Sequence, residues 1–552
     1  MRSGFVTSWM LAAVVLATLL AVIPASAQRG DFKKAVPHQK LERLQANPAS
    51  VNQVSDSVTN LAQKIARAIA SPKSKTEIFS PVSIAGALSL LLLGASGRTQ
   101  QELMRVMGFN DGQLSFQEIH FAFGRLFQDL VANDPTLVPL VTWRVNDKCN
   151  RYDEEDDYED EFPPANTTAN TKDLEIQVGN AIFAKEGTTF DTRYNKVAED
   201  LYKSKLQQLD FEGNEAGAVR TINSWVNKET HGRISDIISH VSPETIMIIV
   251  NTLYFRGLWE ETFQPMATKN RPFFPNGPTE ASIDVPMMAK SGCMPYYFWP
   301  EENIRVLGVP YKQNVTMYIL MPTNSTRSLV QALQGKIDAK MMNNLIAKMR
   351  MKSVTLLMPK MHVSNSISLK AVLEQLGAAT LFQRESAELS RVLQSRLGED
   401  DDPSVSDEDF FAQLEDTRDN AIRKLTKKFE NCTVYDNIGI GRPACLKSDR
   451  CDWGAGSCVC CLDQEEDFRR RRRDTSFNMA TENKTILYVS EMLHKVDLTV
   501  NEVGTEGGAA TATLIDRISS QITFHANGPF VMVIREETTR LPLFYGTVYN
   551  PK

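Results

Sequence analysis

From Ile84 to Leu93 the chain is apolar at nearly every position, and Ser80-Pro81 stands just before it. Proline is tolerated in the first turn of a helix, so this reads as a helix start, with the end at Gly94 and Gly97. Upstream, Val54, Val58, Leu61, Ile65 and Ile69 recur at three- and four-residue spacing, the period of another helix beginning near Val51. Ile119 to Val131 is helix-like as well. Strand-like runs alternate with these: Ile176 to Ala184, Met247 to Phe255, Arg305 to Pro310, Thr316 to Met321 and Val354 to Met358. Long helices mixed with long apolar strands imply an α+β chain. Its hydrophobic content of 42% is that of a protein with a large core, and 552 residues allow two or three domains. A net charge of −6 supplies no basic field, so nucleic acid is not an expected partner.

The first 27 residues read as a targeting signal. Arg2 gives the positive start, Trp9 to Ile23 the apolar run, and Ala25-Ser26-Ala27 the small residues of a cleavage site before Gln28. An uncleaved anchor is the alternative. No other stretch is long and apolar enough to cross a membrane, so the expectation is a secreted, extracellular protein with no membrane contact. Residues 28–50 are polar and read as a loose extension. Eight Cys agree with export, as do sequons at Asn166, Asn314, Asn324, Asn431 and Asn483.

Two shifts in composition mark insertions. Residues 137–172 include the acidic stretch Asp153 to Glu161, with Tyr152 and Tyr158 beside it. Like charges repel, so this reads as a solvated loop, or alternatively as an exosite for a basic protease surface. Cys149, at its start, is free to pair with a distant Cys or with another chain. Residues 393–484 open on Glu399-Asp400-Asp401-Asp402 and carry Cys432, Cys445, Cys451, Cys458, Cys460 and Cys461. Those six allow three disulfides among fifteen pairings. A zinc site is less expected in an oxidising compartment, and no metal is assigned. The run closes on Arg469 to Arg473. This resembles a proprotein-convertase site through Arg470 and Arg473, cut after Arg473; a glycosaminoglycan patch and a merely solvated run are the other readings. Strand patterns resume at Thr485 and run through 552.

Five stretches, in order, carry a family resemblance. They are Phe79-Ser80-Pro81-Val82-Ser83-Ile84 with Leu93-Gly94-Ala95-Ser96-Gly97-Arg98-Thr99; Ile222-Asn223-Ser224-Trp225-Val226 leading to Thr230-His231-Gly232-Arg233-Ile234; Asn251-Thr252-Leu253-Tyr254-Phe255-Arg256-Gly257-Leu258-Trp259; Val500 to Thr513; and Asn527-Gly528-Pro529-Phe530 followed by Pro542-Leu543-Phe544-Tyr545-Gly546-Thr547-Val548. The set resembles the serpins, serine-protease inhibitors, over about 51–392 and 485–552, with an arthropod haemolymph serpin as one candidate type. The resemblance implies a serpin fold of three β-sheets, about nine helices and an exposed reactive-centre loop. A target protease cleaves that loop and is held as an acyl-enzyme while the loop inserts into the central sheet.

The loop's own chemistry suits insertion. Alternate strand residues face opposite sides. Thr505, Gly507, Ala509, Thr511 and Thr513 are all small and uncharged and can face a core; Glu506, Gly508, Ala510, Ala512 and Leu514 form the other face. No proline interrupts the run. The resemblance makes Glu502, Gly504, Thr505, Glu506, Gly507, Gly508, Ala509, Ala510 and Thr511 the hinge. Gly507-Gly508 stands where the family usually has alanine, and each Gly costs about 0.5–1 kcal/mol in a strand, which slows insertion. Family spacing puts the scissile bond between Ile518 and Ser519. Arg517, one residue earlier, suits the Asp-bearing pocket of a trypsin-like protease and is the favoured site.

By resemblance, Ser80, Ser83, Asn251 and His494 match the hydrogen-bonded cluster under the central sheet. Glu502 is expected to pair with Lys360 near Trp259. No catalysis is assigned to His494, and Gly94-Ala95-Ser96-Gly97 lacks nucleophile-elbow spacing, so no enzyme is expected. Nor is a cofactor. The expected partner of this monomer is an extracellular serine protease. The competing readings are a non-inhibitory carrier, chaperone or storage serpin, and a precursor that releases the Cys-rich segment.

Overall fold

The computed structural model describes residues 46–71, 73–132, 141–145, 149, 173–393, 487–505 and 522–552, and the backbone of 433–436, 451–454 and 457–460. The chain divides into two units, a large one made of Leu44–Asn420 and Arg473–Lys552, and one that takes in Ala421–Arg472. In the second unit, β-strands Thr433–Asp436, Cys451–Gly454 and Ser457–Cys460 form a small antiparallel sheet. Cys432, Cys445 and Cys461 lie outside the described residues, as do the side chains of Cys451, Cys458 and Cys460, Arg470 and Arg473.

Ten α-helices are described in the large unit. They are α1 (Pro48–Ile69), α2 (Pro81–Gly94), α3 (Gly97–Met107), α4 (Phe116–Ala132), α5 (Thr142–Val145), α6 (Thr192–Tyr202), α7 (Glu215–Glu229), α8 (Arg327–Lys336), α9 (Ala339–Lys348) and α10 (Leu369–Leu376). The strands, numbered along the chain with those of the second unit counted as β11 to β13, are β1 (Thr76–Phe79), β2 (Leu174–Lys185), β3 (Lys205–Leu209), β4 (Met247–Leu258), β5 (Lys269–Phe273), β6 (Ile283–Trp299), β7 (Ile304–Pro310), β8 (Val315–Pro322), β9 (Arg350–Pro359), β10 (Met361–Ser368), β14 (Glu491–Val500), β15 (Gly504–Thr505), β16 (Ile522–His525), β17 (Phe530–Glu536) and β18 (Pro542–Val548).

One sheet has six strands in the order β10-β14-β15-β4-β2-β3. The other has nine, along β1-β18-β17-β8-β7-β6-β9-β16 with β5 on β6. Two of the three expected sheets are joined in it, because β6 is long enough to pair with β5 and β9 along most of its length and with β7 at its end.

α2 explains how the sheets are held together. Ser80 caps it, its side chain accepting from the Ser83 amide, and Pro81 sits in the first turn. Every residue from Pro81 to Gly94 is buried. A helix that is apolar all round must be enclosed, and this one packs on β2 and β4 of one sheet and on β18 of the other.

α1 begins inside the expected extension because Asn47 caps it, accepting from the Ala49 amide at 3.0 Å. The expected solvated loop also starts later than 137. Val141 and Trp143 are buried, at 4% and 3% exposure, and Cys149 is bonded to Cys293 on β6. Of the two partners open to Cys149, the structure gives the distant one in the same chain.

Candidate functional site

β4 and β14 run parallel and are hydrogen-bonded from Ile248↔Glu491 to Thr252↔Lys495. Above Thr252 they part. At the top, β15 lies between them, antiparallel to both, with Thr505 opposite Val500 on one side and Gly257 on the other. A small pocket in the parted stretch is lined by Leu253, Tyr254 and Phe255 of β4, Asp497 and Thr499 of β14, and Thr505.

Gly504 is required by close approach. A Cβ there would sit 2.1 Å from the Gly257 carbonyl oxygen and 2.8 Å from the Leu258 Cα, both backbone atoms that cannot swing aside. Thr505 is 1% exposed, and its hydroxyl shares a 2.7 Å hydrogen bond with the Tyr311 hydroxyl. Tyr311 stacks on Trp259 with ring centroids 4.1 Å apart. The Trp259 indole N–H donates to the Asn501 carbonyl at 2.8 Å, and its backbone N–H to that of Val503 at 3.0 Å. Glu502 accepts from Lys360 Nζ at 2.9 Å and from the Thr268 hydroxyl at 2.9 Å. Burial alone would raise the Glu502 carboxyl, but bonds from Lys360, its own backbone and Thr268 hold it below its ordinary value. The expected neighbours Trp259, Lys360 and Glu502 are therefore together. Thr268 and Tyr311 complete the group; sequence reasoning missed both, because nothing local marks a residue whose role arises across the chain.

Lower in the sheet, Ser80, Ser83, Asn251 and His494 also meet, all at 0% exposure. The Ser80 backbone N–H donates to His494 Nε2 at 3.0 Å, so that nitrogen carries no proton. The proton is on Nδ1, which donates to Asn251 Oδ1. The Ser83 hydroxyl donates to the same oxygen at 3.3 Å, and the Asn251 amide donates to the Leu493 carbonyl at 3.4 Å. Burial lowers the His494 imidazole to about 3, which keeps it neutral. Asn251 and His494 are directly opposite each other, one pair below the point where the strands part.

Glu506 to Thr511 of the expected hinge, and Arg517, Ile518 and Ser519, lie outside the described residues. So do sequons Asn166, Asn431 and Asn483. Among the described residues, no helix is long and apolar enough to cross a membrane.

A family model described as Serpin (serine protease inhibitor) matches residues 56–407 and 462–551. Serine protease inhibitor 28Dc of Drosophila melanogaster is 30% identical over 512 residues, covering 91% of this chain and 80% of that protein. Antithrombin-III of Ovis aries is 25% identical over 545 residues, covering 96% and 89%. Among solved structures, human thyroxine-binding globulin aligns over 91% of this chain and 100% of its own, with a TM-score of 0.62 at 22% identity. Mouse protein-Z dependent protease inhibitor aligns over 91% and 98%, at 0.61 and 19%. These two structures show that the fold is shared.

Proposed function

This chain belongs to the serpin family, and from that premise we propose that it is a secreted inhibitor that traps a trypsin-like serine protease as an acyl-enzyme, through cleavage of the loop that begins at Glu502 and its insertion between β4 and β14. It regulates an extracellular proteolytic cascade. Ser80, Ser83, Asn251 and His494 are the gate of the sheet; Trp259, Lys360 and Glu502 secure its top.

The observation that carries this reading is the position of Thr505, level with both Val500 and Gly257. A strand continuing downward from there has a fixed register. Gly507 comes level with Leu498, Ala509 with Val496, Thr511 with His494 and Thr513 with Met492. Each of those β14 residues is buried, so the small face of the loop is the one that meets the core. Glu506 comes level with half-buried Thr499 on the other face. Glu506 to Ala509 would come level with Val496 to Thr499, the β14 residues that have no β4 partner to replace. From Ala510 onward the loop must replace β4–β14 pairs, and Thr511 must displace the Asn251–His494 contact. Two glycines at 507 and 508 lower the gain of the first inserted turn of strand, so some inhibitor is cleaved as substrate before it traps the enzyme.

Arg517 is the residue offered to the protease. Cleavage after it releases a peptide beginning at Ile518; cleavage after Ile518 would mark an elastase- or chymotrypsin-like target. Incubation with trypsin-, chymotrypsin- and elastase-like proteases tests both points. An SDS-stable complex with the trypsin-like enzyme, and a released peptide starting at Ile518, are expected. Cleavage without any complex would favour a carrier or storage serpin.

A further inference from the structure

The Cys149–Cys293 disulfide, with its Cα atoms 5.8 Å apart, ties the segment before β2 to β6. Five residues ahead of Cys149, α5 presents Arg144. The Arg144 guanidinium donates to the carbonyls of Tyr311 at 3.3 Å and Val315 at 3.4 Å, which are the two ends of the turn joining β7 to β8. Tyr311 N–H already donates to the Val315 carbonyl at 2.9 Å, so Arg144 closes the turn a second time. Trp143, buried beside it, has the guanidinium 5.3 Å from its ring centroid. The turn in turn binds the end of β4: Lys312 N–H donates to Leu258 at 2.8 Å, and Glu260 N–H to Pro310 at 3.0 Å. Its far side is the Tyr311 ring, stacked on Trp259 and hydrogen-bonded to Thr505.

A set of contacts thus leads from Arg144 to the first residues of the loop, and Cys149, bonded to β6, follows Arg144 closely along the chain. We propose that Arg144, pinned by the Cys149–Cys293 disulfide, is a positioning residue for the hinge: it fixes the Tyr311 turn so that Tyr311 holds Thr505 between β4 and β14. This rests on the reading that the loop enters the sheet at Gly504–Thr505. A guanidinium suits the task because one of its nitrogens, Nη2, carries two hydrogens and reaches both carbonyls. The disulfide suits it because it limits where α5 can go without occupying space at the hinge.

The test is amide hydrogen exchange on the intact secreted chain, without protease. Three amides report directly on the hinge: Trp259 N–H on the Val503 carbonyl, Phe263 N–H on that of Glu502, and Asn501 N–H on that of Gly504. The variants are Cys149→Ser with Cys293→Ser, Arg144→Met and Arg144→Lys, with the amides of α2 as internal reference. Both the cysteine pair and Arg144→Met are expected to speed exchange at the three amides by about threefold or more, the effect of losing a single net hydrogen bond, with α2 unchanged. Arg144→Lys, which keeps a donor, recovers part of the loss. Removing the disulfide in the Arg144→Met background adds nothing at the hinge. Unchanged exchange at the three amides in Arg144→Met would overturn the proposal, and that arm decides if the cysteine variant also loosens α2. Failure of the chain to trap a protease would leave these rates untouched, so the two readings fail separately.

Discussion

The carboxylate of Glu502 and the ammonium of Lys360 meet at 2.9 Å, two residues ahead of the point where the loop enters the sheet. The Glu502 side chain is 11% exposed and that of Lys360 45%, so water screens one end of the pair. Glu502→Gln is therefore expected to cost about 1 kcal/mol, not the several that a buried pair would lose. The functional effect should be larger than the stability effect, because the loss falls at the top of the sheet. Mild heating should convert the variant to polymers or to an inactive monomer sooner than the parent, as native gels would show. Because the folded carboxyl lies below its unfolded value, this support is complete above the unfolded value. It disappears as pH falls through the folded one. Acidification should thus mimic the variant, and the variant should lack only the share of the acid loss that Glu502 carries.

His494 gives pH dependence in a higher window. Its folded imidazole is near 3 because it is buried, against an unfolded value near 6.5. Between those limits the unfolded chain binds a proton that the native one does not, so stability rises with pH and is fully present above about 6.5. Each unit below that costs up to about 1.4 kcal/mol. His120, also buried and also lowered to about 3, contributes with the same sign. His494→Gln should remove one proton's worth of the slope and leave that of His120, as urea unfolding at several pH values would measure.

Gly504→Ala tests the approach of the hinge to β4. Its Cβ would meet backbone at Gly257 and Leu258, so Gly504 and Thr505 must leave the sheet or β4 must move. With Tyr311 released from Thr505, proteolytic nicking of the loop by a non-target protease should become faster. An unchanged nicking rate would mean that the hinge sits in the sheet only loosely in the parent.

The chain revealed its parts unequally. Ile176 to Ala184 and Met247 to Phe255 are legible as strands because they are largely apolar on both faces, and they emerge as β2 and β4 with three residues added to each. The cluster of Ser80, Ser83, Asn251 and His494 and the Glu502–Lys360 pair were legible only through resemblance, since no periodicity marks two serines, an asparagine and a histidine so far apart in the chain. The Cys149–Cys293 bond, Tyr311, Thr268 and Arg144 were not legible. Their partners are brought near by the packing of β6, the β7–β8 turn and the end of β4, and no local pattern encodes that.

The two described sequons differ. Asn324 is exposed, with a positive φ of 52° at the turn that ends β8. Asn314 is half-buried, and its amide nitrogen donates to the Thr538 hydroxyl at 3.2 Å. A glycan occupies that same nitrogen. Peptide mapping of protein from a eukaryotic secretory host should find Asn324 glycosylated and Asn314 largely bare.

The most direct measurement is thermal unfolding of the intact chain against the same chain cleaved in its loop by a protease that does not remain bound. If residues from Glu506 onward take the place between β4 and β14 that Gly504 and Thr505 begin, the sheet gains a full central strand. The midpoint should then rise on the order of 10 °C or more. A midpoint that stays the same or falls after complete cleavage would contradict insertion.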